Sequence, residues 1–310
     1  MKPVQTVYIV GAGALGAAYG SVIHRAHPGS AAFLAEGQRY ERLERDGVVV
    51  NGEQFRLPTY TVRSAGVADL ILLTVKYHHL QEAVEQIGAC MAEHTLILSL
   101  LNGIDSEEIL AEHFGARRVI HGLSLGIDAV RTGNRVSCSS YGVIYFGRPH
   151  NDPVAPEVNA IQEFFSACGI KWETPVDMLR TQWWKFMINV GINQASAILD
   201  LPYRAFQTNP HARAMMDAAM REVIAVAHAR QIELREDDIA RWHEILERLS
   251  PDGKTSMHQD VQQRRKTEVE MLAGTVIELG KQSGVPTPVN RVLFDLLRAR
   301  EYDYLDHVGR

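Results

Sequence analysis

The chain has 310 residues, of which 46% are hydrophobic and 22% are charged, and its formal net charge is -5. This length exceeds the roughly 250–300 residues that a single hydrophobic core usually organises, so two domains are expected. The negative net charge, without any cluster of lysines and arginines, excludes a general nucleic-acid-binding protein. No run of about 18 apolar residues without charge occurs, so the sequence predicts no membrane span.

The cysteines and histidines show no metal or disulfide pattern. Cys90, Cys138 and Cys168 have no paired spacing, which favours a reducing compartment, and we expect a cytoplasmic protein. The 13 histidines lack the H-x-x-x-H type of ligand spacing. The sequence therefore predicts no metal site.

The chain opens with a strand, a glycine-rich turn and a helix. Val4–Val10 is rich in β-branched residues and predicts a buried strand, and Ala17–Arg25 is compatible with a helix. Between them lies a G-x-G-x-x-G motif, which in this context indicates a dinucleotide site. The predicted cofactor-binding residues of this motif are Gly11, Ala12, Gly13, Ala14, Leu15 and Gly16. A glycine-rich turn without a ligand is the alternative.

The second predicted strand, Ala31–Ala35, ends at an acidic residue. Glu36 lies about twenty residues past Gly16, where an acidic side chain commonly binds the ribose hydroxyls and favours NAD over NADP. Two other interpretations remain: Arg39 binds a 2′-phosphate, or Glu36 is simply solvated.

Further strands and helices complete the first half. A hairpin of the strands Val48–Val50 and Phe55–Leu57 is predicted around Asn51-Gly52. The remaining predicted strands are Ala68–Val75, Thr95–Leu100, Arg117–Gly126, Val136–Gly147 and Ile170–Glu173, and Pro153–Cys168 predicts a helix. Alternation of strands with helices is typical of a parallel, doubly wound sheet.

Two polar residues follow strands of this sheet. Lys76 comes directly after Ala68–Val75, and Asn102 follows Thr95–Leu100. Ligands of doubly wound sheets bind at the carboxyl ends of the strands, so both side chains are candidates for cofactor contact. A solvated loop lysine and a turn asparagine are the alternatives.

From Asp177 onward only helices are predicted, over 178–199, 210–230, 236–249, 256–283 and 289–300. The predicted fold is therefore an α/β Rossmann-type doubly wound domain followed by an all-α domain. We expect a dinucleotide-binding domain at 1–176 and a helical substrate and catalytic domain at 177–310.

A polar stripe crosses the most apolar of these helices, Trp183–Ser196. Lys185, Asn189 and Asn193 are spaced by four residues, which places them on one helix face, and Ser196 extends the stripe. Unpaired buried polar groups cost about 1–3 kcal/mol each. The stripe therefore faces protein partners, solvent, or a cleft in which a polar ligand binds.

Two further candidates lie near the predicted helix 256–283. Ser256 with Gln259 matches a capping box, so Ser256 either caps this helix or binds a carboxylate at the helix start. Glu268 stands in a polar pair with Thr267 among apolar residues, and it is either solvated or functional.

Together these motifs resemble the ketopantoate reductases. The matching segments are GAGALG at 11–16, TVK at 74–76, NG at 102–103, WKFMINVGIN at 184–193, TSMHQD at 255–260, TE at 267–268 and TPVN at 287–290. The resemblance implies a Rossmann domain followed by a helical domain. It also implies NAD(P)H-dependent reduction of a 2-oxo acid to a 2-hydroxy acid, in pantothenate biosynthesis.

The resemblance also implies roles for the candidate residues. Lys185 would be the general acid, with Glu268 as a second active-site residue. Asn189 and Asn193 would hold the substrate, and Ser256 would bind its carboxylate. Lys76 and Asn102 would contribute to cofactor binding. The expected partner is a small 2-oxo acid, and a homodimer is a further expectation.

Four positions depart from the family pattern. Leu101 replaces a common Gln, and Gln194 replaces a common Pro. Glu36 replaces an Arg that often holds the NADP phosphate, so NADH is favoured over the family's usual NADPH. Gly253 replaces an Asn that can bind substrate, which leaves another branched or bulky 2-oxo acid open.

Two alternatives are open, one within enzymes and one from a different functional class. The β-hydroxyacid dehydrogenases also pair a Rossmann domain with a Lys and an Asn four residues apart, but their glycine-rich substrate segment is missing from HGLSLGIDAV at 121–130. A nucleotide-sensing regulator without turnover would need the glycine loop, but it would have no use for Lys185 or Ser256.

Overall fold

The computed structural model describes residues 2–305. The chain divides into two compact units, Met1–Leu179 and Arg180–Arg310. Within the described residues, no helix is both long enough and apolar enough to cross a membrane.

The first unit is built on one sheet. Its strands are β1 (Val7–Val10), β2 (Ala31–Leu34), β3 (Val48–Val50), β4 (Glu53–Phe55), β5 (Thr59–Tyr60), β6 (Leu70–Leu73), β7 (Leu96–Ser99), β8 (Val119–Thr132), β9 (Arg135–Gly147) and β10 (Trp172–Glu173). The strand order is β4-β3-β9-β8-β7-β6-β1-β2-β5, and β10 pairs with β9. Strands β5, β2, β1, β6, β7 and the start of β8 are parallel, whereas β8 and β9 form an antiparallel pair.

Five helices in the described part of the first unit pack on the sheet. They are α1 (Ala14–Ala26), α2 (Gly37–Asp46), α3 (Leu80–Gly88), α4 (Ser106–Phe114) and α5 (Pro156–Ala167). Alternate residues of β1 enter two different hydrophobic clusters, with Val7 and Ile9 in one and Tyr8 and Val10 in the other. Because both faces of the central strands are buried, these strands read as continuous apolar runs. The predicted doubly wound α/β domain is confirmed.

The observed strands differ from the predicted ones at the antiparallel end of the sheet. The turn at Asn51 and Gly52 has positive φ at both residues, so the paired strand starts directly at Glu53 rather than at the predicted Phe55. Strand β8 continues past the predicted Gly126 to Thr132. Its outer half is partly exposed and charged, so the apolar pattern ends before the strand does.

The second unit is helical, and its described residues contain no strand, as predicted. Its helices are α6 (Met178–Ile188), which begins just before the unit boundary, α7 (Gln194–Leu199), α8 (Tyr203–Thr208), α9 (Pro210–Ala229), α10 (Glu236–Leu246), α11 (Ser256–Gln262), α12 (Thr275–Ser283) and α13 (Pro288–Leu305). Two π-helical segments, Asn189–Asn193 and Glu270–Gly274, precede α7 and α12. Helix α8 is too short for its periodicity to reveal it.

The prediction of one helix over 256–283 is wrong. Helix α11 ends at Gln262, and Arg264 takes a left-handed conformation with φ of 52°. The Arg265 amide then donates to the Asp260 carbonyl at 2.8 Å, and the Arg264 amide donates to the Val261 carbonyl at 3.0 Å. This is the Schellman type of helix ending, which usually uses glycine. Because an arginine occupies that position, the sequence carries no stop signal.

Candidate active site

The three glycines of the first loop differ in how much space surrounds them. Gly11 has φ of 106°, and a Cβ there would lie 2.7 Å from the Val75 nitrogen. A Cβ at Gly16 would lie 2.0 Å from the Gly11 carbonyl oxygen. A Cβ at Gly13 would meet only the Thr74 oxygen, at 3.9 Å. Gly11 and Gly16 are therefore required by packing, whereas Gly13 leaves space for a group that approaches from outside.

The start of α1 suits a phosphate. Gly13 is the N-cap residue of α1, no side chain caps this end, and the first turn has no acidic residue. The amides of Ala14, Leu15 and Gly16 belong to the first turn, whose N–H groups lack partners within the helix and favour anions. Ala12, in the same loop, is buried. The loop thus fits the pyrophosphate of a dinucleotide, as the motif predicts.

Thr74, the first residue of the TVK segment, holds the glycine loop in place, a role that the segment itself does not indicate. Its hydroxyl donates to the Gly11 carbonyl at 2.6 Å and lies 3.3 Å from the Val10 carbonyl. Thr74 follows β6, the neighbour of β1. The sequence shows Thr74 as a hydroxyl residue directly after an apolar strand. Its contact with the glycine loop depends on β6 lying next to β1, and the sequence does not give this strand order.

Glu36 is held in place by the backbone. It lies just after β2, at the N-cap position of α2, and it is half-buried. Its Oε1 accepts a hydrogen bond from the Val62 amide at 2.6 Å. The carboxylate is therefore fixed at the carboxyl end of β2 rather than simply solvated.

Lys76 and Asn102 follow the next two strands, and both are half-buried. Strands β2, β1, β6 and β7 are adjacent and parallel, so the segments after them meet at one edge of the sheet. The structure brings Glu36, the glycine loop, Lys76 and Asn102 to this edge, where doubly wound sheets bind ligands.

The loops after β6 and β7 are tied to each other. The Tyr77 hydroxyl donates to Asp105 Oδ2 at 2.6 Å. Burial raises the pKa of the Asp105 carboxyl, and the hydrogen bond from Tyr77 opposes this rise. Ser106 is also bonded to Ser99, the last residue of β7, at 2.8 Å between hydroxyls. Lys76 and Asn102 therefore stand in loops whose positions are coupled.

In the second unit, the polar stripe descends from the surface into the core. Lys185 and Asn189 are half-buried, whereas Asn193 is 8% and Ser196 1% exposed. The Ser196 hydroxyl lies 3.1 Å from the Asn193 carbonyl and 2.7 Å from the Thr255 hydroxyl. The lower end of the stripe is thus satisfied by protein groups, and its upper end reaches the surface of the unit.

Ser256 does not cap α11, so that interpretation is wrong. The N-cap is Thr255, whose hydroxyl accepts a hydrogen bond from the His258 amide at 3.1 Å. Ser256 is the first helical residue and is exposed. Thr255 and Ser256 both carry a hydroxyl, but only the Thr255 hydroxyl is buried and bonded to Ser196. The Ser256 hydroxyl is left for another role.

Glu268 lies in a segment that is anchored to α13. The amide and the hydroxyl of Thr267 each donate to Glu301 Oε1 at 2.6 Å. Glu301 is 1% exposed and also receives a hydrogen bond from Arg298 at 3.0 Å. Glu268 itself is half-buried. Its backbone is therefore held firmly, although the sequence offers no sign of the partner Glu301.

Gly253 is packed against an aromatic ring. A Cβ at Gly253 would lie 2.8 Å from the Tyr203 ring, and the Tyr203 amide donates to the Gly253 carbonyl at 3.0 Å. A larger residue at this position would require Tyr203 to move.

Within residues 2–305, no group of three or more His, Cys, Asp and Glu side chains is arranged to hold a metal ion.

Two family models match the chain. The model described as ketopantoate reductase PanE/ApbA matches residues 7–151, and its C-terminal counterpart matches residues 177–301. A 2-dehydropantoate 2-reductase of Archaeoglobus fulgidus is 28% identical over 303 residues, covering 96% of this chain and 98% of the relative. The enzyme of the same name from Aquifex aeolicus is 26% identical over 308 residues, covering 96% and 97%.

Solved structures agree with these matches. A PanE/ApbA family ketopantoate reductase from Ralstonia eutropha superposes with a TM-score of 0.84 at 28% identity, covering 97% of this chain and 99% of that one. A D-mandelate dehydrogenase, solved with NADH and anilino(oxo)acetate, reaches a TM-score of 0.88 at 23% identity over 97% and 99%. The second likeness shows that the fold is shared.

Proposed function

Because the chain belongs to the ketopantoate reductase family and is an NAD(P)-dependent oxidoreductase acting on CH–OH groups, we propose that it reduces 2-dehydropantoate or a related 2-oxo acid. The family assignment decides against the β-hydroxyacid dehydrogenases and against a regulator without turnover. The observation that carries the proposed chemistry is the stripe of Lys185, Asn189 and Asn193, which runs from the surface of the second unit into its core.

We assign cofactor binding to the first unit. The N–H groups at the start of α1 and the open space at Gly13 would hold the pyrophosphate. Glu36 would accept hydrogen bonds from the adenosine ribose, which favours NADH over NADPH. Lys76 and Asn102 would contact the cofactor at the same sheet edge. When bound, NAD(P)H supplies the hydride that reaches the carbonyl carbon of the substrate.

We assign the proton to Lys185. A lysine has an unperturbed pKa of about 10.4, so its ammonium group carries a proton at neutral pH. As negative charge develops on the carbonyl oxygen, the ammonium group stabilises that charge and then transfers the proton, which yields the 2-hydroxy acid. The neutral amine regains its proton from solvent. Glu268 is the second residue assigned to the reaction centre.

The remaining assignments concern the substrate. Asn189 and Asn193 would orient the 2-oxo acid by their amides, and the exposed Ser256 hydroxyl at the start of α11 would bind its carboxylate. A proper hydrogen bond to a charged group contributes about 1.5–3 kcal/mol. These contacts would fix the carbonyl group next to Lys185, where orientation itself accelerates the reaction.

The pair of Gly253 and Tyr203 favours a second candidate substrate. Gly253 has no side chain to bind a hydroxyl group, and Tyr203 covers it with an aromatic ring. A site that lacks a hydrogen-bonding partner loses its preference for a hydroxylated substrate. A 2-oxo acid with a bulky, apolar side chain is therefore the alternative to 2-dehydropantoate.

The test of the chemistry is Lys185→Ala. We expect kcat to fall about 10²–10⁴-fold, the range of general acid catalysis, whereas the dissociation constant for NAD(P)H stays within twofold. Lys281→Ala removes an exposed lysine from the same unit and serves as the control. Near wild-type turnover by Lys185→Ala would remove Lys185 from the mechanism.

A panel of substrates tests the rest of the proposal. Oxidation of NADH and NADPH should be followed with 2-dehydropantoate and with 2-oxo acids that carry branched or aromatic side chains. Turnover of any of them supports the reaction class, and their order ranks the two candidate substrates. Absence of turnover with all of them would contradict the proposed reaction.

A further inference from the structure

The segment between α6 and α7 is a π-turn, Asn189–Asn193, that carries two residues of the stripe. In a regular α-helix the Gln194 amide would donate to the Val190 carbonyl. Here the Gln194 amide donates to the Gly191 carbonyl instead. The side chain of the same residue takes its place, because Gln194 Nε2 donates to the Val190 carbonyl at 2.7 Å.

The π-turn restores the alignment of the stripe. In a regular helix each step of four residues exceeds one turn by about 40°, so Asn193 would lie about 80° around the helix from Lys185. A π-helix has more residues per turn, so a step of four residues within it falls short of one turn. The rotation between Asn189 and Asn193 therefore opposes the rotation between Lys185 and Asn189.

A buried polar network holds Gln194. Its Nε2 also lies 3.2 Å from Asn290 Oδ1. Asn290 Nδ2 in turn donates to Glu222 Oε2 at 2.8 Å and to the Ala219 carbonyl at 3.2 Å. Gln194 and Asn290 are both 0% exposed. The network thus connects the π-turn to α9 and to the start of α13.

Glu222 fixes the start of α13 from the neighbouring helix. Its two carboxylate oxygens accept hydrogen bonds from the amides of Val289 and Asn290, at 2.7 and 2.9 Å. The first turn of α13 is therefore capped by a side chain of α9. This places Asn290, the last residue of the TPVN segment, where it receives the Gln194 amide.

Close packing against α9 also confines the π-turn. A Cβ at Gly191 would lie 2.5 Å from the Met220 side chain and 3.1 Å from the Met216 carbonyl. Helix α9 therefore approaches the turn as closely as glycine allows. The turn is fixed by close packing at Gly191 and by hydrogen bonds at Gln194.

The buried amide of Gln194 is only half satisfied, because its Oε1 has no hydrogen-bond partner within the described residues. An apolar side chain of similar size would avoid the cost of this buried oxygen. Such an apolar side chain could not replace Nε2 as a hydrogen-bond donor.

We propose that Gln194 and Asn290 are positioning residues that hold the π-turn and thereby aim Asn189 and Asn193 at the substrate. This inference rests on the proposed function of the stripe. It assigns a role to the TPVN segment at 287–290, and it explains why a polar residue is buried at position 194.

The test compares two identical substitutions. Gln194→Met removes the donor to Val190 and keeps the length of the side chain. Gln207→Met is the matched control, because Gln207 Nε2 also donates to backbone carbonyls, those of Leu246 at 2.9 Å and Leu249 at 3.1 Å. We expect Gln194→Met to lose no more thermal stability than Gln207→Met, because it also removes the unsatisfied Oε1 of Gln194.

Of these two variants, only Gln194→Met should change the kinetics. We expect kcat/KM for the 2-oxo acid to fall about 10–100-fold, because a small misplacement of the substrate relative to the reacting groups slows the reaction by this order. The KM for NAD(P)H should be unchanged. Asn290→Ser, which removes the acceptor for Gln194, should show the same pattern to a smaller extent. Kinetics equal to those of Gln207→Met in both variants would overturn the proposal.

A crystal structure of Gln194→Met separates this inference from the proposed function. We expect the turn at 189–193 to become regular α-helix, with a backbone bond from residue 194 to Val190. An unchanged π-turn would overturn the inference even if the wild-type protein reduces 2-oxo acids. A wild-type protein that reduces none of them would overturn the proposed function, whatever the structure of the variant.

Discussion

Glu36 is the carboxylate to which we assign the choice between NADH and NADPH. One of its oxygens accepts the Val62 amide at 2.6 Å, so the negative charge is fixed at the end of β2. A 2′-phosphate placed beside it would bring like charges together, which is unfavourable at short range.

Glu36→Gln should therefore shift the preference toward NADPH. Glutamine keeps an oxygen for the Val62 amide but removes the charge, so we expect the ratio of kcat/KM for NADPH to that for NADH to rise about tenfold, equivalent to about 1.4 kcal/mol. Glu41→Gln, on the exposed face of the same helix, is the control. A wild-type preference for NADPH would already contradict the role of Glu36.

Asp105 gives a residue-scale prediction for pH. Burial raises the pKa of its carboxyl, so the folded protein holds this proton more tightly than the unfolded chain does. The stability contribution of Asp105 is therefore present below the unfolded pKa of about 4 and is lost as pH rises through the folded pKa.

Asp105→Asn cannot titrate, and its amide oxygen can still accept the Tyr77 hydroxyl. We expect the free energy of unfolding of this variant, relative to wild type, to increase from about pH 4 up to the raised folded pKa and then to remain constant. Urea unfolding at a series of pH values measures this difference. A difference that is flat or decreases with pH would contradict the raised pKa.

Among the elements, those with a continuous apolar pattern were predictable and those defined by local backbone geometry were not. Strands β1, β6 and β7 are buried on both faces, and their sequences show it directly. The site residues that follow these strands could be proposed for the same reason. The π-turn at Asn189–Asn193 and the bond from Thr74 to Gly11 depend on long-range contacts, which the local sequence does not encode.

The end of α11 is a second element that the sequence hides. Arg264 adopts φ of 52°, a conformation that costs a residue with a Cβ about 1–2 kcal/mol. Glycine avoids this cost but loses more entropy on folding, by about 0.5–1 kcal/mol.

Arg264→Gly should therefore stabilise the protein by about 0.5–1 kcal/mol. Arg264→Ala retains the Cβ and should bring no gain, which makes it the matched control, and chemical denaturation measures both. Equal effects of the two substitutions would mean that the left-handed conformation is not what limits stability at this helix end.

For the whole molecule, no covalent crosslink stabilises the fold among the described residues. Cys90, Cys138 and Cys168 are all free and buried. Burial raises the pKa of Cys90 and of Cys168 to about 11, which keeps these thiols protonated and poorly reactive at neutral pH. A ligand that binds only the folded state, such as a cofactor, would add stability.

Cofactor binding should raise the free energy of unfolding by about 2.7 kcal/mol at a cofactor concentration of 100 times the dissociation constant. Gly13→Ala tests where this binding energy arises. A Cβ at Gly13 would meet only the Thr74 oxygen at 3.9 Å. Without cofactor, we therefore expect the free energy of unfolding of the variant to lie within about 1 kcal/mol of the wild-type value, the scale of an N-cap substitution.

The same Cβ would occupy the space through which a pyrophosphate approaches the loop. We therefore expect Gly13→Ala to lose most of the stabilisation by NADH, measured as the shift of the unfolding transition with increasing cofactor. Lys185→Ala should keep the full shift, because that residue is assigned to the proton and not to cofactor binding. Gly16→Ala should be unstable even without cofactor, since its Cβ would lie 2.0 Å from the Gly11 oxygen. Full stabilisation of Gly13→Ala by NADH would show that the dinucleotide binds away from the glycine loop.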